Sequence, residues 1–395
     1  GSLHSDESVA LELHNCNVNW ESRNSLLEGL RGKLVIDQDK AQGSPIFGTF
    51  NGNDVRVTGS RHWMGDLDLV VLGKSVSTAE VEDLIDMSIG FKADGDLSGT
   101  LVAVGDTLVY EGLFTGQLED YLVTDLDCKA IVGPDDVVIP RLEGMVNGAS
   151  FVGEGYFDIS HGDSVYFVLE GDVQDVDVAK GLVPGEDDMP ATHGRGRMKI
   201  EHTDLPLWTR VTGVLNDGFI ETVPFDTCYV DIEAYDQEVD FNLVEIYYKD
   251  LHAVVSGHSD PQLIFTGSLS AASEDMSTLP EEWEWPDLDG RFTGQGQLNG
   301  PLDDLEFSGW VSLYNYWIGQ LGTGRMEALL TISDALGDPV VSADVAGRDL
   351  VVGGVPLGDF HFDGMASSEF AQIDSFYTGY GDTAVYFTMR GAFSD

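Results

Sequence analysis

Phe292-Thr-Gly-Gln-Gly-Gln-Leu298, with Leu305-Glu-Phe-Ser-Gly-Trp-Val-Ser-Leu313 just after it, decides the fold. Apolar residues and glycines alternate with polar residues at period two. Side chains alternate sides along an extended chain, so this spelling gives each strand one apolar and one polar face. The same rhythm recurs in Phe265-Thr-Gly-Ser-Leu269, Leu97-Ser-Gly-Thr-Leu-Val-Ala-Val104, Leu113-Phe-Thr-Gly-Gln-Leu118 and Leu142-Glu-Gly-Met-Val146. Turn dipeptides separate such runs: Asn51-Gly52, Asn147-Gly148, Asp217-Gly218, Asp289-Gly290, Asn299-Gly-Pro301 and Gly337-Asp-Pro339. Short strands divided by frequent turns predict an all-β protein. A long run of them makes a sheet whose apolar face must be covered by protein or used for something greasy.

Composition narrows the options. The 395 residues hold 47 glycines without a Gly-X-Y period, which excludes collagen. Sixty-nine acids against 20 bases give a formal charge of −49. Such a field repels nucleic acid and anionic membrane surfaces. The acids often fall on the polar phase of a strand, as in Asp66-Leu-Asp-Leu69, and read as a solvated outer face. Cys16, Cys128 and Cys228 are far apart, with no CxxC or Cys/His cluster, so structural zinc is not expected. Buried cysteines are the expectation, with a single disulfide as the open alternative. No apolar stretch reaches the roughly 18 residues of a membrane span, and no signal peptide is present. Gly1-Ser2 reads as a tag scar, and the chain as a cloned fragment of a larger protein.

Three segments break the β pattern. Thr78–Met87 spaces Val81, Leu84 and Ile85 at helical intervals; Asp175–Val183 and Thr278–Trp285 suggest two further short helices. A glycine-punctuated strand follows each, at Gly95, Gly194 and Gly290, roughly 95 to 100 residues apart. This predicts an internal repeat with approximate boundaries 1–77, 78–174, 175–277 and 278–395.

The stretch Leu288–Leu313 resembles the repeats of the AsmA-like family, the translocation and assembly module (TamB) proteins in particular. So do Ala346–Phe362 and Val176–Val183 before Gly194. The resemblance is one of pattern and is best from about residue 174 onward. It implies an elongated, twisted antiparallel sheet bent into a trough with an apolar lining. It further implies a periplasmic bridge, anchored in the inner membrane and reaching the outer membrane. Such a bridge carries phospholipids or assists an outer-membrane assembly protein.

The residues suit that task on their own terms. Alternate positions give Leu263, Phe265 and Leu269, then Phe292 and Leu298, then Leu305, Phe307, Val311 and Leu313, then Leu330 and Ile332. These are the expected groove-lining residues. Glycine on an apolar face forgoes burial, and makes sense where a sheet curves or another body approaches closely. Some 25 to 30 strands would extend a sheet roughly 120 to 140 Å. A 16-carbon acyl chain in water forgoes about 12 kcal/mol of burial, at ~0.8 kcal/mol per methylene. An apolar trough removes most of that barrier without a chemical step.

Catalytic signatures are missing from the sequence. Gly73-Lys74-Ser75 lacks the earlier glycine of a phosphate loop, position 68 being Asp68. Gly257-His258-Ser259-Asp260 sets three triad residue types side by side, whereas a triad converges from separate segments. With so many acids, no one carboxylate pair stands out. Asp94-Gly-Asp96 and Asp287-Leu-Asp289-Gly290 lack the other positions of a calcium loop. The expectation is a non-enzymatic lipid-transfer or envelope-assembly module, without cofactor, metal or catalytic residue, whose partner is a phospholipid or other acyl-chain lipid. The alternative is an acidic extracellular structural or adhesive repeat protein stabilised by calcium. A polysaccharide-active β-helix enzyme is the third reading, prompted by the aromatic run Trp310–Trp317.

Overall fold

The computed structural model describes residues 8–20, 25–63, 65–77, 92–118, 121–146, 148–160, 166–174, 192–204, 206–220, 223–236, 238–280, 288–301, 304–334, 339–367, 369–380 and 383–392. The all-β expectation holds. Among the described residues, twenty-four strands belong to one sheet, which is not closed. The chain divides into two compact units, Gly1–Gly185 with Arg197–Thr209, and Glu186–Gly196 with Arg210–Asp395.

In the first unit the strands are β1 (Val9–Trp20), β2 (Ser25–Ile36), β3 (Lys40–Phe50), β4 (Asn53–His62), β5 (Leu67–Ser77), β6 (Ala93–Val104), β7 (Thr107–Leu118), β8 (Tyr121–Val132), β9 (Asp136–Val146), β10 (Ala149–Asp158) and β11 (Tyr166–Gln174). Each pairs antiparallel with its neighbour in sequence. Strands β12 (Thr192–Asp204) and β13 (Leu207–Ile220) contribute to both units.

The second unit continues with β14 (Val223–Tyr235), β15 (Glu238–Tyr248), β16 (Leu251–Ser259), β17 (Ile264–Ser273), β18 (Leu288–Pro301), β19 (Glu306–Ile318), β20 (Leu321–Ser333), β21 (Val340–Val352), β22 (Val355–Ala366), β23 (Phe370–Tyr380) and β24 (Thr383–Ala392). From β14 onward these too pair antiparallel in chain order.

Local chemistry explains the ladders. Asn51 and Gly52 take positive φ (47° and 92°) in the two-residue turn between β3 and β4, as a tight hairpin requires. Gly353 and Gly354, at φ 58° and 79°, do the same between β21 and β22. Three expected turns are corrected. Asn299-Gly-Pro301 is the end of β18, paired with Ile264, Phe265 and Thr266 of β17. Asp217-Gly218 lies inside β13, and Asp289-Gly290 inside β18, where the register shifts between Asp289 and Arg291. Asp217 (φ 52°) and Gly290 (φ 116°) spend the left-handed conformation there rather than on chain reversal. A bulge needs that conformation as a turn does, and it bends and twists its strand.

The helix expectations over 78–87 and 175–183 lie outside the described residues. Of the third, over 278–285, only the first residues are described. There a single 3-10 turn, Met276–Thr278, is capped by the Asp275 carboxylate, which accepts from the Ser277 amide at 3.0 Å.

Candidate functional site

Register fixes which side chains share a face. In the second unit Gly267 faces Leu298, Leu298 faces Phe307, and Phe307 faces Ile332. The adjacent row reads Val255, Leu269, Gly296, Gly309, Leu330, Ala343. The next reads Ala253, Ala271, Gly294, Val311, Ala328, Val345, Phe362, and the last Ser273, Phe292, Leu313, Met326, Gly347, Phe360. No residue in these four rows is charged. Residues between them, such as Thr266, Gln297, Ser308 and Thr331, are exposed on the other side. The first unit repeats the arrangement in the row Val71, Gly99, Gly112, Cys128, Leu142, Gly153, Gly171.

The eleven expected lining residues divide into three groups. Phe265, Leu298 and Phe307 are buried at 3%, 9% and 7% exposure and form a closed cluster. Leu269, Leu305, Leu330 and Ile332 pack half-buried against that cluster, and Phe292, Val311 and Leu313 are half-buried on the same face. Leu263 is corrected: it precedes β17 in the turn that starts at Asp260, at φ 60°, and is exposed. The turn, not the strand phase, decides where it sits. Phe241, Val255, Val345 and Phe360 belong to the apolar face and escaped the sequence reading. The alternation of Val239, Phe241 and of Val345, Gly347 was the available signal, but a register shift follows directly after Phe241 and after Gly347.

The glycines on this face have a specific use. A Cβ on Gly257 or Gly267 would lie 2.5 Å from carbons of the Phe265 ring, and one on Gly296 would lie 2.5 Å from Phe307 Cε2. Gly257 faces Gly267, and Gly296 faces Gly309, so each ring lies across a glycine pair. In the first unit Phe151 covers Gly153 and Gly171 in the same way. Aromatic cover of paired strand glycines restores the burial that glycine forgoes. Thus part of what read as room for another body is filled by the chain's own phenylalanines.

The polar face is a lattice of ion pairs set in excess acid. Arg141 reaches Asp127 at 2.7 Å and Glu143 at 3.5 Å, Arg197 reaches Glu170 at 2.9 Å, and Arg195 meets Asp217. The Arg210 guanidinium grips Asp231 through two hydrogen bonds, at 3.0 and 2.9 Å, and holds its carboxyl below the usual range. Glu245 is held low by the Tyr247 hydroxyl, donating at 2.7 Å, and by His252 at 2.8 Å. Exposed pairs of this kind contribute little each.

The remaining candidates do not assemble. His258 pairs with Asp240 at 2.8 Å on the polar face, whereas Ser259, the next residue along β16, is buried with its hydroxyl unpartnered. Alternation therefore separates the two. Lys74 and Ser75 lie within β5, with Ser75 at φ 50° beside a register shift. Among the described residues no group of three or more His, Cys, Asp or Glu could hold a metal ion. All three cysteines are free. Burial pushes the Cys228 thiol up to about 12 and, with the Asp127 carboxylate, the Cys128 thiol up to about 11. No helix among the described residues is long and apolar enough to cross a membrane. No family model, curated protein or solved structure matches the chain.

Proposed function

We propose that the uncharged face of the second unit is a groove for phospholipid acyl chains, and that the protein moves or holds lipid without chemistry. One observation carries this reading. A single sheet presents four adjacent rows without a charge, and Leu269, Val311, Leu313, Leu330 and Ile332 within them are only half-buried. The acids sit on the other side, so the uncharged face is left to an apolar occupant. Each methylene laid on it gains about 0.8 kcal/mol over water. Uniform rows without charge give an alkyl chain many nearly equivalent positions, which favours sliding over trapping.

Through its resemblance to the AsmA-like family, the reading extends to a periplasmic bridge between inner and outer membranes, with an outer-membrane assembly protein as partner. The test is photo-crosslinking from Val311, Leu313 and Leu330, with Ser308 and Thr331 on the polar face as controls, alongside native mass spectrometry of the purified protein. Lipid captured from the first three positions and not from the controls is the expected result. Equal labelling from both faces, with no co-purified lipid, sinks the proposal.

A further inference from the structure

One cross-strand row of the polar face inverts the sign of its surroundings. Arg291 of β18 faces Tyr314 of β19, Tyr314 faces Arg325 of β20, and Arg325 faces Arg348 of β21. The next residues along the first three strands, Phe292, Asn315 and Met326, differ in kind: Phe292 and Met326 lie on the apolar face, while Asn315 takes φ 51° in a local irregularity. The chain has only 20 lysines and arginines, and three stand here across four adjacent strands.

Two guanidiniums bracket the Tyr314 ring, Arg291 at 5.0 Å and Arg325 at 5.5 Å from its centroid. Each also has one carboxylate: Glu274 lies 3.8 Å from Arg291, and Glu327 pairs with Arg325. Arg348 is exposed and forms no ion pair among the described residues. It nonetheless stands directly opposite Arg325. Directly opposed residues have their Cα atoms about 5 Å apart, and like charges there are destabilising. Lys129 opposite Arg141 is the instructive contrast, because Glu111 meets the lysine and Asp127 and Glu143 meet the arginine. Arg348 has no carboxylate in ion-pair contact among the described residues; the nearest acids by register are Asp349 beside it and Asp359 across the β21–β22 bulge.

We infer that the row Arg291–Tyr314–Arg325–Arg348 is an anion site that takes a singly charged phosphate ester. A guanidinium fork fits phosphate oxygens two at a time, and charge-assisted bonds of this kind are the strong ones. An anion seated between Arg325 and Arg348 replaces their repulsion with two attractions. Contact with the Tyr314 ring holds two guanidiniums in place, and each keeps further N–H donors beyond the one turned to its carboxylate. Counting only groups in ion-pair contact, three arginines less Glu274 and Glu327 leave one positive charge, and with Asp349 and Asp359 nearby this suits a phosphodiester better than a dianion. The distant acids act against any anion, but at about 0.15 M salt they are screened beyond roughly 8 Å, and contact pairs are not. The site stands independently of the groove reading, since it lies on the opposite face.

Thermal melting of the whole chain in dimethyl phosphate, against chloride at equal ionic strength, tests it. The wild type should be stabilised by the phosphodiester. Arg348→Gln should melt no lower than wild type in chloride, because a repulsion is gone, and should lose the phosphodiester-dependent rise. Arg325→Gln should weaken the apparent affinity by about tenfold, as loss of a charge-assisted pair implies. Arg197→Gln, in the first unit, should keep the full rise. Dihexanoyl phosphatidylglycerol below its micelle concentration separates the sources of the group. A rise with this lipid alone that Arg348→Gln abolishes assigns a lipid headgroup; a rise with both ligands assigns the bare phosphodiester. No rise in the wild type with either ligand, or an undiminished rise in both arginine variants, overturns the site.

Discussion

The phenyl ring laid over two facing glycines is the residue-scale device of this chain. Gly296→Ala would set a Cβ 2.5 Å from both Phe307 Cε2 and the Ser308 carbonyl, so ring and neighbouring strand would both have to shift. We expect a loss of about 2 to 4 kcal/mol in chemical denaturation. Gly391→Ala, with nothing within 4 Å, should stay within about 0.5 kcal/mol of wild type. The thiols give a second prediction at this scale. Cys128 and Cys228 are buried and resist ionisation, so a thiol reagent at pH 7.5 should label Cys16 alone in the native protein and all three in denaturant. Fast labelling of three thiols under native conditions would contradict the described packing. The special standing of the glycines was legible, since Phe-x-Gly is spelled out at Phe151, Phe265 and Phe307. Their covering was not. Phe292-Thr-Gly294 has the same spelling, yet Gly294 meets Val311 and the Trp310 carbonyl instead. Which ring covers which glycine depends on register across strands, and that is a long-range fact.

At the scale of the element, period two located the strands and turn chemistry located several hairpins. The sequence cannot say whether a left-handed residue reverses the chain or sits inside a strand, because Asp217 and Asn51 take similar φ for different ends. Flanking pairing decides, and it is set by the neighbouring strands. Gly319 at φ 56° turns β19 into β20 with nothing near its missing Cβ. Gly319→Ala should therefore cost about 1 kcal/mol through backbone conformation alone, leaving the circular dichroism spectrum unchanged. Strands β13 and β14 are further joined by Arg210 and Asp231. The Asp231 carboxyl titrates below its unfolded value of 3.8, so its contribution is present above about pH 4 and is lost as pH falls through the folded value. Being partly in water, the pair is worth at most ~1 kcal/mol. Asp231→Asn should lower stability at pH 7 and converge with wild type as pH falls below the folded value of Asp231; parallel pH–stability curves would exclude the linkage.

For the whole molecule the governing quantity is the net charge of −49, carried largely on polar faces. Self-repulsion of that size opposes the folded state, and added salt screens it. Melting temperature should rise by several degrees between low salt and 0.5 M sodium chloride, and sodium and potassium should act alike. A decline with salt would mean that the ion pairs of the polar face outweigh the repulsion.

The ladders have a consequence for how such a chain can change. Among the described residues the ladders run from β1 to β11 and again from β14 to β24, each strand paired with its neighbours in sequence. Removing one hairpin, two strands together, would leave every other partner and every inward face as it was, shortening the ladder by about 10 Å. Removing one strand would reverse the running direction of all that follow. Span in this architecture is therefore adjustable in paired increments, and no other contact has to be renegotiated when it changes.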